Sequence, residues 1–111
     1  MKYSKFDVIV TSFPFIEKIE NTKVRPAVII SSNSYNEQTG FLIIAMITSA
    51  KHSKLWNDIK ISDHEISELN ADSIIRMKFA NIAHNAILHK LGKLSKSDEK
   101  KLTLKLKQIF E

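Results

Sequence analysis

The chain has no cysteine, only two glycines and two prolines, and no long apolar run. Without cysteine it has no disulfide, no thiolate metal ligand and no thiol nucleophile, which fits a reducing cytoplasm. So few glycines and prolines exclude a linker-rich or disordered chain. No run reaches the ~18 apolar residues of a membrane span, and the start, MKYSKFDVIV, lacks the apolar segment of a signal peptide. We therefore expect a globular cytoplasmic protein without a membrane segment.

Motifs of several enzyme classes are also missing. G-x-S-x-G, the Walker A loop, H-E-x-x-H and G-x-G-x-x-G do not occur. Of the four histidines, only His64 has acidic neighbours on both sides, Asp63 and Glu65. Side chains adjacent in sequence diverge in strands and in helices, so we interpret this cluster as a surface turn rather than a metal site. We expect no metal and no cofactor.

The length of 111 residues predicts a single domain, residues 1–111, with one modest core. The net charge of +5 is unevenly distributed, because residues 90–111 hold seven lysines against three acids. Such an excess is typical of a solvated helix face, and it is also suited to attracting a polyanion such as RNA. Charge alone does not choose between these two interpretations.

Short runs rich in isoleucine and valine, separated by polar clusters, predict strands. They lie at residues 6–13, 25–32, 41–49, 57–62 and 73–79, and a last strand is expected in 86–94. This spacing predicts a small, mainly β barrel. We interpret SNSYNEQTG (32–40) as a connecting loop, because Asn, Ser and Gly favour turns. Residues 63–72 are interpreted as a short helical insert.

The end of the chain, SKSDEKKLTLKLKQIF (95–110), predicts an amphipathic helix that packs on the barrel. Ser95 and Ser97 both offer N-cap chemistry, and acidic residues follow in the first turn, where the helix dipole favours them. Gly92 is expected to form the bend between the last strand and this helix. Four apolar residues share one stripe, with lysines opposite: Leu102, Leu106, Ile109 and Phe110.

An arginine and a proline stand at the start of the second predicted strand, in KVRPAVII. Proline costs a sheet little at this position, because its missing N–H need not enter the ladder. If strands 25–32 and 41–49 are antiparallel neighbours, Arg25 lies beside Thr48. A guanidinium forks onto phosphoryl oxygens and a hydroxyl positions an attacking group, so the pair suits a phosphodiester. Each residue alone is also typical of an ordinary strand end.

The order of FDVIVTSFPF, KVRPAVIISSNSYNEQTGFLIIAMITS, DSIIR and ILHKLGKLS resembles the PemK/MazF toxin endoribonucleases of type II toxin–antitoxin systems. The resemblance covers nearly the whole chain. It implies a mainly β (α+β) fold, an SH3-like barrel with a helical end, that forms a homodimer. It further implies metal-independent, sequence-specific cleavage of single-stranded RNA (mRNA), and a cognate antitoxin protein as partner.

The same resemblance implies roles for particular residues. Arg25 matches the family's catalytic arginine, and Thr48, followed by Ser49, matches the threonine that ends the next strand. Arg76 is either a second phosphate clamp or a structural ion pair. The implied reaction is attack by the RNA 2′-hydroxyl on the adjacent phosphate, giving a 2′,3′-cyclic phosphate and a free 5′-hydroxyl.

Two positions depart from the family's pattern. Phe6 replaces the glycine with which family members usually enter the first strand. Lys78 stands where several members carry the aspartate of the acid–base pair, so the general base is unassigned. Glu20, or Glu17 in the same segment 16–23, is a candidate base, although a solvated loop is the commoner setting for such residues.

Basic and aromatic residues near the predicted strand ends are candidates for RNA contact. Unpaired bases stack on aromatic rings, and lysines neutralise phosphates. Trp56 is also interpreted as a core or dimer-interface residue. The RNA-binding candidates are Phe15, Lys23, Lys51, His52, Lys54, Trp56 and Lys78.

Two other functions remain open at this point, because a fold does not fix an activity. One is a gyrase-poisoning toxin that acts through protein contact. The other is an inactive family member that binds a protein partner, which Lys78 makes credible. The presence of both Arg25 and Thr48 favours the nuclease, since a gyrase binder has no need of the pair.

Overall fold

The computed structural model describes residues 2–12, 24–49, 57–62, 67, 69 and 72–110. A three-residue 3₁₀ turn, His84–Ala86, joins the last two strands. Among the described residues, no helix is long and apolar enough to cross a membrane. The elements follow in the order β1 (Asp7–Ser12), β2 (Val24–Ile29), α1 (Asn33–Thr39), β3 (Phe41–Ser49), β4 (Ile59–Lys60), β5 (Ser73–Ala83), β6 (Ile87–Lys93) and α2 (Lys96–Phe110).

The strands form one antiparallel sheet in the order β4-β5-β3-β2-β1-β6. Strands β5 and β6 lie far apart in this order, yet only the short 3₁₀ turn separates them along the chain. The sheet must therefore curl strongly to bring its two ends together. In the described part of the chain no pairing joins β6 to β4 or β5, so the sheet is not closed into a ring. The predicted mainly β, α+β class is confirmed.

Apolar side chains fill both faces of the sheet, because successive residues of a strand point to opposite sides. This explains why the runs in β1, β2 and β3 are continuously apolar. One group, here called the helix-side cluster, includes the buried residues Val8, Val28, Ile30, Ala45, Ile47, Ile59, Ile61, Ile75, Leu94 and Leu102. The other group, the far-side cluster, comprises Ile9, Ala27, Ile29, Leu42, Ile44, Ile82 and Ile87.

Strand β3 matches its predicted bounds, whereas other strands differ in length. The run predicted as a strand at 57–62 is a strand only at Ile59–Lys60, and β5 continues to Ala83. Strand β5 also carries a bulge, because Ala45 of β3 pairs with Phe79 while Met46 pairs with Arg76. Met77 and Lys78 therefore have no partner residues in β3.

The prediction of a loop at residues 32–40 is wrong, because most of this segment is helix α1. The same polar residues that favour turns act here as helix caps. The Ser32 side chain accepts a hydrogen bond from the Tyr35 N–H at 3.1 Å. Gly40 ends the helix in the left-handed conformation, with φ of 74°, and its N–H donates to the Asn36 carbonyl.

Helix α2 forms as predicted, and Ser95 is its N-cap residue. The Asp98 N–H donates to the Ser95 Oγ at 3.2 Å. Along the predicted stripe, Leu102 is fully buried, whereas Phe110 remains 71% exposed and stacks on Phe79 at 5.8 Å between ring centroids. The apolar stripe is therefore buried at its first residue, Leu102, and exposed at its last, Phe110.

Two other predictions concern Gly92, near the end of β6, and the segment 63–72, before β5. Gly92 was expected to form the bend before α2, and this prediction is wrong. It lies within β6 opposite Val8, next to a register shift, and the chain turns after Leu94 instead. The helical insert expected at 63–72 falls mostly outside the described residues.

Candidate active site

Arg25 and Thr48 lie at adjacent strand ends. In the β2–β3 ladder Ala27 pairs with Met46 and Ile29 with Ile44. Continued two residues past Ala27, this antiparallel register sets Arg25 opposite Thr48. The neighbour relation of β2 and β3 on which the prediction depended is therefore observed.

Both side chains belong to the same face of the sheet. Alternation along β2 directs Arg25 to the side of Ala27, and alternation along β3 directs Thr48 to the side of Ile44, both in the far-side cluster. Residues directly opposite each other in an antiparallel pair have Cβ atoms about 5 Å apart. Arg25 is half-buried and Thr48 is 7% exposed. The side chains of Arg25 and Thr48 thus start from neighbouring positions on one face at the end of the sheet.

A second threonine flanks Arg25 on its other side, since Thr11 of β1 pairs with Arg25. Thr11 is fully buried, and its hydroxyl donates to the Ala86 carbonyl at 2.9 Å. The Thr48 hydroxyl, by contrast, forms no hydrogen bond with the described residues. Of the two hydroxyls beside Arg25, only that of Thr11 is bonded to another residue within the described part of the chain.

Arg76 forms an ion pair that the sequence offered as one of two roles. Its Nε donates to Asp58 Oδ1 at 3.3 Å and its Nη2 to Asp58 Oδ2 at 3.0 Å. The Asp58 side chain is only 2% exposed, and that of Arg76 is 19% exposed. Asp58 immediately precedes β4, whereas Thr48 lies on β3, on the other side of β5. The pair therefore holds the Arg76 guanidinium toward β4, away from Thr48.

The short β4 segment is itself anchored to helix α2. Asp98, which is fully buried, accepts the Ser62 N–H at 3.2 Å and 3.0 Å on its two carboxylate oxygens. It also accepts the Ser62 hydroxyl at 2.8 Å, and the Lys101 ammonium lies 3.8 Å away. These bonds fix the chain that carries Asp58, and through it they support the Arg76 ion pair.

Sequence reasoning missed the contributions of Asp58 and Asp98. Asp58 is the residue before a short strand that pairs Ile59 with Ile75, so register alone brings it to Arg76. The pairing register of a strand as short as β4, which has two residues, cannot be predicted from the sequence. Asp98 was recognised only as an acidic residue in the first turn of α2, which gave no sign of its contact with Ser62.

The remaining predicted site residues fall into two groups. Among the described ones, Ser49 pairs with Ser73 and by alternation lies on the opposite face from Thr48, and Lys78 is exposed in the β5 bulge. Within the part of the chain that the structure describes, no group of His, Asp or Glu is placed to hold a metal ion. Outside the described residues are Phe15, Glu17, Glu20, Lys23, Lys51, His52, Lys54 and Trp56.

Comparison with solved structures shows the fold. A mycobacterial endoribonuclease solved with its cognate antitoxin has a TM-score of 0.75 at 11% identity, covering 96% of this chain and 92% of that one. MazF from Deinococcus radiodurans (Form-I) has a TM-score of 0.73 at 16% sequence identity, covering 96% of this chain and 94% of that one. The toxin MazF-mt6 from Mycobacterium tuberculosis has a TM-score of 0.72 at 17% sequence identity, covering 94% of this chain and 95% of that one. No curated protein matches the chain in sequence.

The family comparison goes beyond the fold. The model of the PemK-like, MazF-like toxins of type II toxin–antitoxin systems matches residues 4–110. This match spans almost the whole chain and includes every element described above. The chain therefore belongs to the PemK-like, MazF-like toxin family of type II toxin–antitoxin systems.

Proposed function

We propose that the protein is an endoribonuclease that cleaves single-stranded RNA without a metal ion, with Arg25 and Thr48 at its centre. The observation that carries this proposal is the register of β2 and β3, which, continued two residues past Ala27, brings Arg25 opposite Thr48; the Thr48 hydroxyl has no hydrogen bond to the described residues. Membership of a toxin family supports it. Two of the structurally similar proteins, both from mycobacterial species, are themselves endoribonucleases.

The chemistry of the pair suits a transesterification. The RNA 2′-oxygen attacks the adjacent phosphorus while the bond from phosphorus to the 5′-oxygen breaks. Arg25 donates two hydrogen bonds to the non-bridging oxygens, whose negative charge grows in the transition state. Thr48 donates a hydrogen bond to the same phosphoryl group and fixes its orientation. The 2′-hydroxyl loses its proton and the 5′-oxygen gains one, giving a cyclic phosphate and a 5′-hydroxyl.

Other residues take supporting roles in the proposal. Glu20 accepts the 2′-hydroxyl proton. Arg76 supports the site through its ion pair with Asp58, and Ser49, on the opposite face of the sheet from Thr48, takes no direct part. Bases and flanking phosphates are bound by aromatic and basic residues, most of them in the segments that adjoin β2 and β3. These RNA-binding residues are Phe15, Lys23, Lys51, His52, Lys54, Trp56 and Lys78.

The proposed setting is a cytoplasmic homodimer controlled by an antitoxin. Structurally similar toxins have been solved with their antitoxins, including MazE with MazF from Deinococcus radiodurans. An acidic antitoxin segment that folds on binding would complement the positive charge of this chain. Dimerisation would cover apolar surface that a small curled sheet leaves exposed.

The decisive experiment is incubation of the purified protein with mixed-sequence RNA in EDTA. We expect discrete fragments that carry 2′,3′-cyclic phosphate and 5′-hydroxyl ends. In Arg25→Ala the loss of one preorganised donor should slow cleavage by about 10²- to 10³-fold. Lys93→Ala, which changes an exposed cation on β6, is the matched control and should cleave like the wild type.

Three results would contradict the proposal. Cleavage by Arg25→Ala at the wild-type rate would remove this residue from the mechanism. Intact RNA together with inhibited gyrase would favour the protein-binding toxin. Intact RNA with bound antitoxin and unaffected gyrase would favour the inactive family member.

A further inference from the structure

Phe6 has a backbone conformation that side chains rarely adopt. Its φ is 74°, and among the described residues it is the only non-glycine residue with a positive φ. A bulky residue in the left-handed region is strained, and residues with such strained backbones cluster at functional sites. The ring is half-buried at the edge of the helix-side cluster, with the Lys5 ammonium 5.1 Å from its centroid.

The Phe6 ring forms one wall of a groove along helix α2. This groove, here called the Phe6 groove, has a volume of about 420 Å³. At Thr103 it meets a second depression of about 330 Å³, lined by Lys5, Leu106, Lys107 and Phe110. Leu104 is 62% exposed and Phe110 71% exposed, so the floor and the end of the groove are apolar. The residues lining the Phe6 groove are Phe6, Lys96, Glu99, Lys100, Thr103 and Leu104.

Positive charge surrounds this apolar surface. Four lysines and one glutamate line the two depressions, which leaves a net charge of +3. Glu99 is paired with Lys96 at 3.7 Å. Lys5, Lys100 and Lys107 form no ion pair with any residue that the structure describes. A partner for this surface must therefore bring apolar side chains and negative charge together.

The Phe6 groove is separate from the candidate active site. Leu102 of α2 packs into the helix-side cluster, whereas Arg25 and Thr48 point to the side of the far-side cluster. The two surfaces thus lie on opposite faces of the sheet. A molecule bound in the groove would leave the Arg25 and Thr48 side chains uncovered.

We propose that the Phe6 groove is a docking site for an acidic, amphipathic helical segment of a partner protein. Leucine-type side chains of the segment pack on Leu104, Phe6 and Leu106, while its carboxylates pair with Lys100, Lys107 and Lys5. The groove runs from Lys96 to Lys107, about 16 Å along the helix axis at 1.5 Å per residue. This length matches a partner helix of about three turns.

The observations favour a peptide over RNA or a second copy of the chain. The Lys5 ammonium covers one face of the Phe6 ring, and Phe110 stacks with one face on Phe79, so each of these rings has at most one face open to a base. The other apolar lining is aliphatic and suits leucine-type side chains. A second copy would present the same positive face, and like charges oppose such pairing.

The proposal is tested with a fluorescein-labelled synthetic peptide of about 14 residues, with leucine at i, i+3, i+4 and i+7 and glutamate elsewhere. We expect saturable binding by fluorescence anisotropy, and at least about tenfold weaker binding to Leu104→Ser or Lys100→Glu. Leu88→Ser and Lys93→Glu are the matched controls, because Leu88 is 57% exposed and both lie on β6. Both controls should bind like the wild type.

Backbone amide NMR shifts locate the peptide. Changes confined to residues 5–6 and 96–110 support the proposal, and binding should be equal in Arg25→Ala. The absence of saturable binding, equal loss in the Leu88→Ser control, or shifts centred on Arg25 and Thr48 would each overturn it. So would displacement of the peptide from the groove by a single-stranded RNA that causes the same shifts.

Discussion

At the scale of single residues, two threonines flank Arg25 and differ in how their hydroxyls are used. Thr11 is buried and its hydroxyl donates to the Ala86 carbonyl, whereas the Thr48 hydroxyl has no hydrogen bond with the described residues. Both threonines lie opposite Arg25. Thr11 does so across the ladder of β1 with β2, and Thr48 across the ladder of β2 with β3. The Thr11 hydroxyl therefore has a structural role, whereas the Thr48 hydroxyl is the one to which the proposal assigns a catalytic role.

Substitution by valine separates these two roles, because valine keeps the branched shape and removes only the hydroxyl. In Thr48→Val we expect cleavage to fall by about tenfold or more, since one transition-state hydrogen bond is lost. The free energy of unfolding should stay within about 0.5 kcal/mol of the wild type, because the Thr48 hydroxyl has no hydrogen bond to a residue that the structure describes. Initial cleavage rates and urea unfolding measure the two effects.

Thr11→Val is the matched control and should show the opposite result. Losing the bond to the Ala86 carbonyl should lower the free energy of unfolding by about 1–2 kcal/mol, with cleavage close to wild type at a temperature where the variant is folded. Equal cleavage rates in wild type and Thr48→Val would contradict a catalytic hydroxyl at that position.

Also at this scale, the sequence could indicate Arg25 and Thr48 but could not indicate Asp58. Arg25 and Thr48 lie at the ends of two long apolar runs joined by a short connection, so antiparallel pairing alone brings them together. Asp58 meets Arg76 only because β4 pairs with β5 in one particular register, and β4 is two residues long. Such a short strand carries too little pattern to fix its register.

The ion pair of Asp58 with Arg76 gives a test of whether Arg76 is structural. Asp58→Ala leaves a largely buried guanidinium without its bidentate partner, and we expect it to lower the free energy of unfolding by about 2–4 kcal/mol. The double variant Asp58→Ala/Arg76→Met removes both charges and should recover much of that loss. Chemical unfolding of the two single variants and the double variant completes the cycle.

The activity of the same variants separates the two roles of Arg76. If the arginine acts only through its ion pair, the double variant cleaves RNA nearly as fast as the wild type once folded. A double variant that is stable but inactive would assign Arg76 to the phosphate.

At the scale of elements, helix α2 and strand β4 depend on each other through Asp98. The carboxylate is fully buried and accepts hydrogen bonds from both the N–H and the hydroxyl of Ser62. Asp98→Ala would leave these donors without acceptors, and we expect a loss of about 2–4 kcal/mol in the free energy of unfolding. Urea unfolding followed by circular dichroism gives the value.

Glu99 provides the control, because it is the next residue in the same helical turn. Its ion pair with Lys96 is at the surface, with the lysine side chain 91% exposed. Glu99→Ala should therefore change the free energy of unfolding by less than about 1 kcal/mol. Similar losses in Asp98→Ala and Glu99→Ala would show that Asp98 acts only through the helix dipole.

The elements themselves could be predicted to different degrees. Strand β3 and helix α2 have long, regular apolar patterns, and both were predicted with nearly correct bounds. Helix α1 was predicted as a loop, because its residues Asn33–Thr39 are polar and its stability comes from the caps at Ser32 and Gly40. Caps and turns use the same residue types, so the sequence pattern alone does not distinguish them.

At the scale of the whole molecule, the fold separates the lysines of helix α2 from the candidate active site. Residues 90–111 carry most of the net charge, and α2 lies on the helix side, opposite Arg25 and Thr48. The sequence left open whether these lysines form a solvated face or attract RNA. Because α2 lies on the opposite face of the sheet, we expect its lysines to make no direct contact with an RNA bound at Arg25.

This separation predicts which lysines control RNA affinity. RNA binding is measured with Arg25→Ala, which does not cleave the RNA. A plot of log Kd against log salt concentration should rise with a slope of about 0.7 for each phosphate that the protein neutralises on single-stranded RNA. Adding Lys78→Gln, in the exposed β5 bulge, should reduce the slope by about that amount. Adding Lys100→Gln or Lys107→Gln should leave the slope unchanged, because Lys100 lines the Phe6 groove and Lys107 lines the second depression that meets it. A slope that falls equally in all three variants would show that RNA also contacts helix α2, and that the basic end of the chain is part of the RNA-binding surface.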